Sequence, residues 1–140
     1  MTDLVIDASV AIKWVVDEPG TAEALRLRRH HLSAPELLVP ECANILWKKV
    51  RLGELTEVEA LLSARLLARA DVELEPMRPL LERATELAIA LDHPAYDCVY
   101  LALAEQLSRD LVTADERLCR KPLPAAYTQR VVPLQDFGRS

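Results

Sequence analysis

Two short apolar runs, Leu4-Val5-Ile6 and Leu111-Val112-Thr113, show no polar alternation, and each is closed by an acid, Asp7 in one case and Ala114-Asp115 in the other. Runs of this kind read as strands of a parallel sheet covered on both faces. Three weaker strand patterns join them: Leu32 to Ala34 before Pro35, Val72 to Glu75 before Pro76, and Val131 to Leu134. Helical periods fill the intervals. Ser9 to Val16 predicts a first helix, broken at Asp17-Glu18-Pro19-Gly20, and Thr21 to His31 a second. A third covers Glu36 to Leu52, with Pro40 as a place to bend, and stops at Gly53, a natural residue just beyond a helix end. Thr56-Glu57-Val58-Glu59 forms a capping box, followed by Leu61, Leu62, Leu66 and Leu67 at helical spacing. Pro79 to Leu91 and Pro94 to Ser108 are two further helices with proline in the first turn, and a short helix follows Asp115.

Strands alternating with helices imply right-handed crossovers onto a parallel sheet with helices on both faces. The expected architecture is a three-layer α/β/α fold with a five-stranded parallel sheet, forming one domain over residues 1–140. In open sheets of this type, ligands sit outside the carboxyl ends of the strands, where the strand order reverses. Asp7 and Asp115 end strands there. Glu41, in Pro40-Glu41-Cys42-Ala43-Asn44, and Asp97, in Tyr96-Asp97-Cys98, lie near helix starts, so four distant acids can converge. Asp3, Asp71 and Asp110 precede strands and belong to the opposite edge, where they should be solvated. Asp17, Glu18, Glu23, Glu54, Glu57 and Glu59 fall in loops or on polar helix faces. Asp92 ends a helix. Glu116, directly after Asp115, is the one serious competitor.

Composition narrows the class. The 140 residues are 51% hydrophobic with only six aromatics, so Leu, Val and Ala must build the core. No stretch reaches the ~18 apolar residues of a membrane span, and the start lacks a basic-then-apolar signal, which predicts a cytoplasmic protein. Three cysteines, Cys42, Cys98 and Cys119, have no metal-ligand spacing and read as buried small side chains in a reducing compartment. The histidines, His30-His31 at a helix end and His93 before Pro94, need no catalytic or metal-binding role. A net charge of −5 is awkward for nucleic acid, whose backbone is normally held by Lys and Arg. The basic residues do cluster, as Lys48, Lys49 and Arg51 beside Trp47 and as Arg26, Arg28 and Arg29, and either group could hold an RNA backbone or simply be a solvated face.

Two carboxylates about 5 Å apart repel by about 3 kcal/mol at an effective dielectric of roughly 20, so a cluster of acids destabilises the fold unless a cation neutralises it. Hard oxygen ligands suit Mg²⁺ or Mn²⁺. Such an ion activates water and neutralises a phosphodiester, which points to hydrolysis of RNA or DNA. Taken singly, each acid has a simpler account. Asp7 and Asp115 could be N-caps, and Glu41 and Asp97 could favour helix N-termini by charge.

Together with their neighbours, these residues carry a resemblance. Val5-Ile6-Asp7-Ala8-Ser9, Pro40-Glu41-Cys42-Ala43-Asn44, Tyr96-Asp97-Cys98-Val99-Tyr100-Leu101-Ala102 and Leu111-Val112-Thr113-Ala114-Asp115 resemble, in order, the motifs of PIN-domain ribonucleases. More closely, the chain is similar to the VapC toxins of toxin–antitoxin pairs, over about residues 4 to 134. The resemblance implies an endoribonuclease dependent on Mg²⁺ or Mn²⁺, a homodimer, and a small VapB-type antitoxin as partner. It makes Asp7, Glu41, Asp97 and Asp115 the acidic ligands, Ser9 and Thr113 the supporting hydroxyls and Asn44 the supporting amide. Local backbone bonding would explain either hydroxyl equally well. Glu116 beside Asp115 is the one departure.

Other classes fit less well. A haloacid-dehalogenase-type phosphatase needs an aspartate where Ser9 stands, and a receiver domain needs an acid pair and a late lysine that are missing. The rivals that remain are an RNA-processing nuclease of PIN type without an antitoxin, a non-catalytic RNA-binding module, and a DNA nuclease.

Overall fold

A computed structural model describes residues 2–137. In chain order the elements are β1 (Asp3–Ile6), α1 (Ala8–Ala11), α2 (Thr21–Leu27), β2 (His31–Pro35), α3 (Leu38–Arg51), α4 (Glu57–Ala68), β3 (Glu73–Glu75), α5 (Leu81–Leu91), α6 (Ala95–Leu107), β4 (Asp110–Thr113), α7 (Glu116–Cys119) and β5 (Val131–Pro133). All five strands are parallel, in the order β3-β2-β1-β4-β5. The chain therefore steps outward from β1 to β3, then crosses back to add β4 and β5 on the other side. With right-handed crossovers, the helices before β3 and those after it lie on opposite faces, which makes the expected α/β/α layering.

The two apolar runs are the central strands. Val5, Ile6, Leu111 and Val112 are fully buried, together with Leu27, Leu87, Leu101 and Leu103 from the helices. Each such side chain stabilises the fold by roughly 1.5–3 kcal/mol. Tyr127 adds a buried polar tie by donating its hydroxyl to the carbonyl of Leu101 at 2.6 Å.

Several helix bounds differ from expectation, each for a local reason. The first helix is one α turn, Ala8–Ala11, followed by a tighter turn over Ile12–Trp14. The second ends at Leu27 rather than His31. His31 instead opens β2, in register with Asp3 of β1, and its ring sits between the carboxylates of Asp3 (3.3 Å) and Glu73 (3.0 Å). A run of Arg28-Arg29-His30-His31 has no apolar period to show where helix stops and strand starts. The third helix begins at Leu38, so Pro40 falls in its first turn, where a missing N–H breaks no intrahelical bond. The capping box is made in full, with Glu59 N–H bonded to Thr56 and Glu59 carboxylate to Thr56 N–H. Asp92 and Ser108 end α5 and α6 in the left-handed conformation.

At the amino-terminal edge of the sheet, Asp3 and Asp110 are less idle than expected. Asp110 accepts the N–H and guanidinium of Arg130, which ties β4 to the start of β5. Glu18 likewise holds Lys13 (2.8 Å) and Lys49 (3.2 Å), which anchors the loop after the first helical turns. Among the described residues no helix is long and apolar enough to cross a membrane.

Candidate active site

Parallel pairing of β1 with β4 sets Ile6 opposite Val112, so the residues just beyond, Asp7 and Thr113, meet at the carboxyl ends where the strand order reverses. Thr113 donates its hydroxyl to Asp7 Oδ2. Ser9 donates to Asp7 Oδ1 at 2.6 Å, and Ser9 Oγ also accepts the N–H of Ala114 at 2.9 Å. Asp115 N–H donates to Thr113 Oγ1 at 3.0 Å. These bonds lock two strand ends around one carboxylate. Although Asp7 occupies the N-cap position of α1, its carboxylate makes no capping bond. The hydroxyls take that carboxylate, and Thr113 is wholly buried behind it.

Glu41 comes from the first turn of α3 and Asp97 from the first turn of α6. Helix α6 crosses β1, β2 and β4, which carries its first turn to the same end of the sheet. Asp7, Ser9, Glu41, Asn44, Asp97 and Asp115 line one open cleft of about 480 Å³. All four expected acids are therefore brought together. Glu116 lines a neighbouring cavity of about 630 Å³ instead, so it is separated from the cluster. That larger cavity carries Lys13, Arg26 and Arg120 beside Glu23 and Glu116, a mixed set with no concentration of acids.

Each acid is held differently. Burial pushes the Asp7 carboxyl up to about 6; the two hydroxyls pull it back and the charge of Asp97 adds to the rise. Burial also raises Glu41, against the pull of the Tyr100 hydroxyl, which donates to Oε1 at 2.5 Å, and with a push from Asp97. Asp97 Oδ2 lies 2.6 Å from Nε2 of the buried His93. Asp115 does cap α7, accepting the N–H groups of Arg117 (2.9 Å) and Leu118 (3.4 Å) on Oδ1, and it lines the cleft as well. Asn44 lies at the cleft and makes no hydrogen bond to Glu41 among the described residues.

Three residues here carry no role in a reading of the sequence alone. Tyr100 and His93 bond two of the acids, and Tyr96 stands two-thirds exposed at the rim. Spacing holds the missing signal, since His93 and Tyr100 lie four before and three after Asp97 and so share its side of the helix start. The basic clusters stay away from the cleft. Lys49 is spent on Glu18 and Glu54, Arg51 stacks over Trp47 at 5.5 Å, and Arg28 over Trp14 at 5.4 Å. Cys42 and Cys98 are buried, and burial raises their thiols to about 12 and about 11, so neither is a ready nucleophile.

The donor set suits a hard divalent cation. Among the described residues no Lys or Arg pairs with any of the four acids. Nor do three or more His, Cys, Asp or Glu side chains close into a ready cage among those residues. Mg²⁺ tolerates such an open set because it keeps several waters and binds through one or two carboxylates plus substrate oxygens.

Comparison with known proteins places the chain in a family. The PIN domain family model matches residues 4–123. Ribonuclease VapC3 of Pyrobaculum aerophilum is 33% identical over 129 residues, covering 89% of this chain and 98% of the relative. Ribonuclease VapC12 of Mycobacterium tuberculosis is 31% identical over 118 residues, covering 84% and 90%. The crystal structure of PAE2754 from Pyrobaculum aerophilum superposes with a TM-score of 0.72 at 24% identity, covering 96% of this chain and 90% of that one, a likeness of fold. Matched along most of its length by the family model and by ribonucleases of like size, and with its acids gathered where the strand order reverses, the chain belongs to the VapC group of the PIN-domain family.

Proposed function

We propose that the protein is a metal-dependent endoribonuclease, the toxin of a VapB–VapC pair, and that one PIN domain spanning the chain carries the activity. The observation that carries this reading is a cleft with four carboxylates and, among the described residues, no Lys or Arg paired with them, in a chain related to VapC ribonucleases. Asp7 and Asp97 are the principal ligands for Mg²⁺ or Mn²⁺, and Glu41 and Asp115 complete the set directly or through water. When bound, such an ion supplies an activated water and neutralises charge on the phosphodiester. Ser9 and Thr113 hold the Asp7 carboxylate in place, and Asn44 serves the cleft edge as an amide partner for RNA phosphate. Tyr96 offers an exposed ring on which a base can stack.

The relatives named VapC support a partner as well. An antitoxin of VapB type silences the cleft by laying a C-terminal segment along it and placing a basic side chain, Arg above all, among Asp7, Glu41, Asp97 and Asp115. A guanidinium pairs bidentately with carboxylates and takes the space of the ion. The toxin acts in the cytoplasm as a homodimer.

The test uses purified protein on RNA with Mg²⁺ or Mn²⁺. Cleavage that stops with EDTA and with Asp7→Asn, while the fold survives, supports the metal site; undiminished cleavage by Asp7→Asn removes it. Co-expression with the upstream gene product, followed by alanine substitution of each of its C-terminal basic residues, separates the toxin from a solitary RNA-processing nuclease. If no complex forms, the solitary nuclease takes its place, and if RNA binds without being cut, the binding module does.

A further inference from the structure

Asp97 and Glu41 lie 56 residues apart in the numbering and on different helices, yet each gives one carboxylate oxygen to a buried donor near the start of α6. Tyr100 is almost wholly enclosed, and its hydroxyl reaches from α6 to Glu41 Oε1 on α3 at 2.5 Å. That is its one side-chain hydrogen bond among the described residues. A phenylalanine would fill the same apolar space, so core packing does not account for the oxygen. His93 is buried too, and its Nε2 lies 2.6 Å from Asp97 Oδ2. A carboxylate oxygen accepts, so Nε2 carries the hydrogen and the tautomer follows from the contact.

The backbone around His93 is set firmly for this contact. Asp92 closes α5 in the left-handed conformation, His93 follows, and Pro94 starts α6 with its φ near the proline value. Glu41 Oε2 and Asp97 Oδ1 carry no hydrogen bond among the described residues, so each acid has one tethered oxygen and one free one. Carboxylates that ligate metals are commonly oriented in this way by donors behind them.

Resting on the metal-dependent reading of the cleft, we propose that Tyr100 and His93 are positioning residues: they tether one oxygen each of Glu41 and Asp97 and so aim the other at the ion. Neither touches RNA. Without the tethers, Glu41 regains rotation about its side-chain bonds and Asp97 loses its backing, so the ion meets a disordered ligand set.

Calorimetric titration of the metal-free protein with Mn²⁺ reads this directly. Tyr100→Phe and His93→Leu should each weaken Mn²⁺ binding by roughly 10–100-fold. His93→Gln, whose side-chain amide can still donate toward Asp97, should recover most of the loss. Tyr100→Phe should cost nothing further in a Glu41→Gln background, because position 41 then offers the ion no carboxylate for the tether to aim. Leu103→Ala is the control for packing alone, and should lower the melting temperature without changing Mn²⁺ affinity.

Tyr100→Phe that binds Mn²⁺ as tightly as wild type overturns the assignment for Tyr100, and His93→Gln no better than His93→Leu overturns it for His93. Should His93→Leu not fold, a His93→Gln protein that binds as wild type still supports the tether, and one that binds more than ten-fold weaker overturns it. Wild type that takes up no Mn²⁺ instead defeats the metal reading of the cleft, a different failure from variants that match a wild type that binds.

Discussion

Helices α4 and α6 are similar in length and both rich in Leu and Ala, yet they have opposite surroundings. Helix α6 buries Cys98, Tyr100, Leu101, Ala102, Leu103 and Ala104, because it lies across β1, β2 and β4 with α5 packed against it. Helix α4 packs chiefly on α3 and buries only Ala60 and Ser63. Val58, Leu61, Leu62 and Leu66 are each more than half exposed. A helix that is apolar nearly all round belongs between two layers, whereas the leucines of α4 stay open to solvent in the protomer. Burial also bears on the cleft, to which α6 contributes Asp97. A helix packed on three strands and α5 holds Asp97 and Tyr100 in place from several sides, whereas α4 rests chiefly on α3.

The largest effect should come from the site end of α6. Asp97→Asn removes a cleft carboxylate while leaving an oxygen for His93, and RNA cleavage should fall by a factor on the order of 10³ or more, since metal catalysis supplies several kcal/mol. An equivalent loss of charge on α4, Glu57→Gln, should leave the rate as it is. Steady-state cleavage of a defined RNA by both variants gives the contrast, and equal rates would erase it.

Packing should separate the helices next. Leu101→Ala or Leu103→Ala empties space in the core and should cost about 2–5 kcal/mol by denaturant unfolding. Leu62→Ala on α4 should stay within about 0.5 kcal/mol in the isolated protomer. A Leu62→Ala protein as damaged as Leu101→Ala would mean that α4 is covered by a partner copy in the folded state.

Charge behaves differently in the two places. Asp7 at the end of β1 is buried, and its carboxyl is raised from 3.8 to about 6, so the folded protein holds this proton more tightly than the unfolded chain. The stability due to that proton is therefore fully present below pH 4 and lost as pH rises through 6, a change of about 3 kcal/mol. In EDTA the stability of wild type minus that of Asp7→Asn should fall across this window, and added Mg²⁺ should restore it at pH 7–8. A difference that is flat with pH would show that Asp7 titrates as a solvated acid.

The smallest effect on the fold, and the clearest on assembly, belongs to the α4 face. Leu62→Glu with Leu66→Glu should shift unfolding by about 0.5 kcal/mol or less per site. The pair should nonetheless lower the mass measured by light scattering if α4 carries the homodimer. Unchanged mass would mean that α4 does not join two copies.

Local information was enough for much of this. Uninterrupted apolar runs marked β1 and β4 as central strands, because a strand covered on both faces has no polar side to show. Thr56 and Glu59 announced the start of α4 by chemistry that is complete within four residues. The acids of the cleft were legible because strand ends and helix starts on a parallel sheet share one edge, so four separate motifs pointed to one place. What those motifs could not show was range. His31 reads as a helix end until β1 is set beside it, and its pairing with Asp3 is a contact between strands. The leucines of α4 have the same spacing whether or not anything covers them, so their exposure depends on how far the sheet and its helices extend.

Residue types, their order and their short-range spacing determined the class of the fold, the parallel sheet and the identity of the four acids, because helix periods, caps and apolar runs are interactions among near neighbours. Tertiary structure alone decided that Thr113 and Ser9 bond Asp7, that Tyr100 reaches Glu41, that Glu116 is turned to another cavity, and that Lys49 is spent on Glu18. Those contacts join parts of the chain brought together by strand register and helix packing, and their distances and burial set the charges, which no sequence pattern encodes by itself.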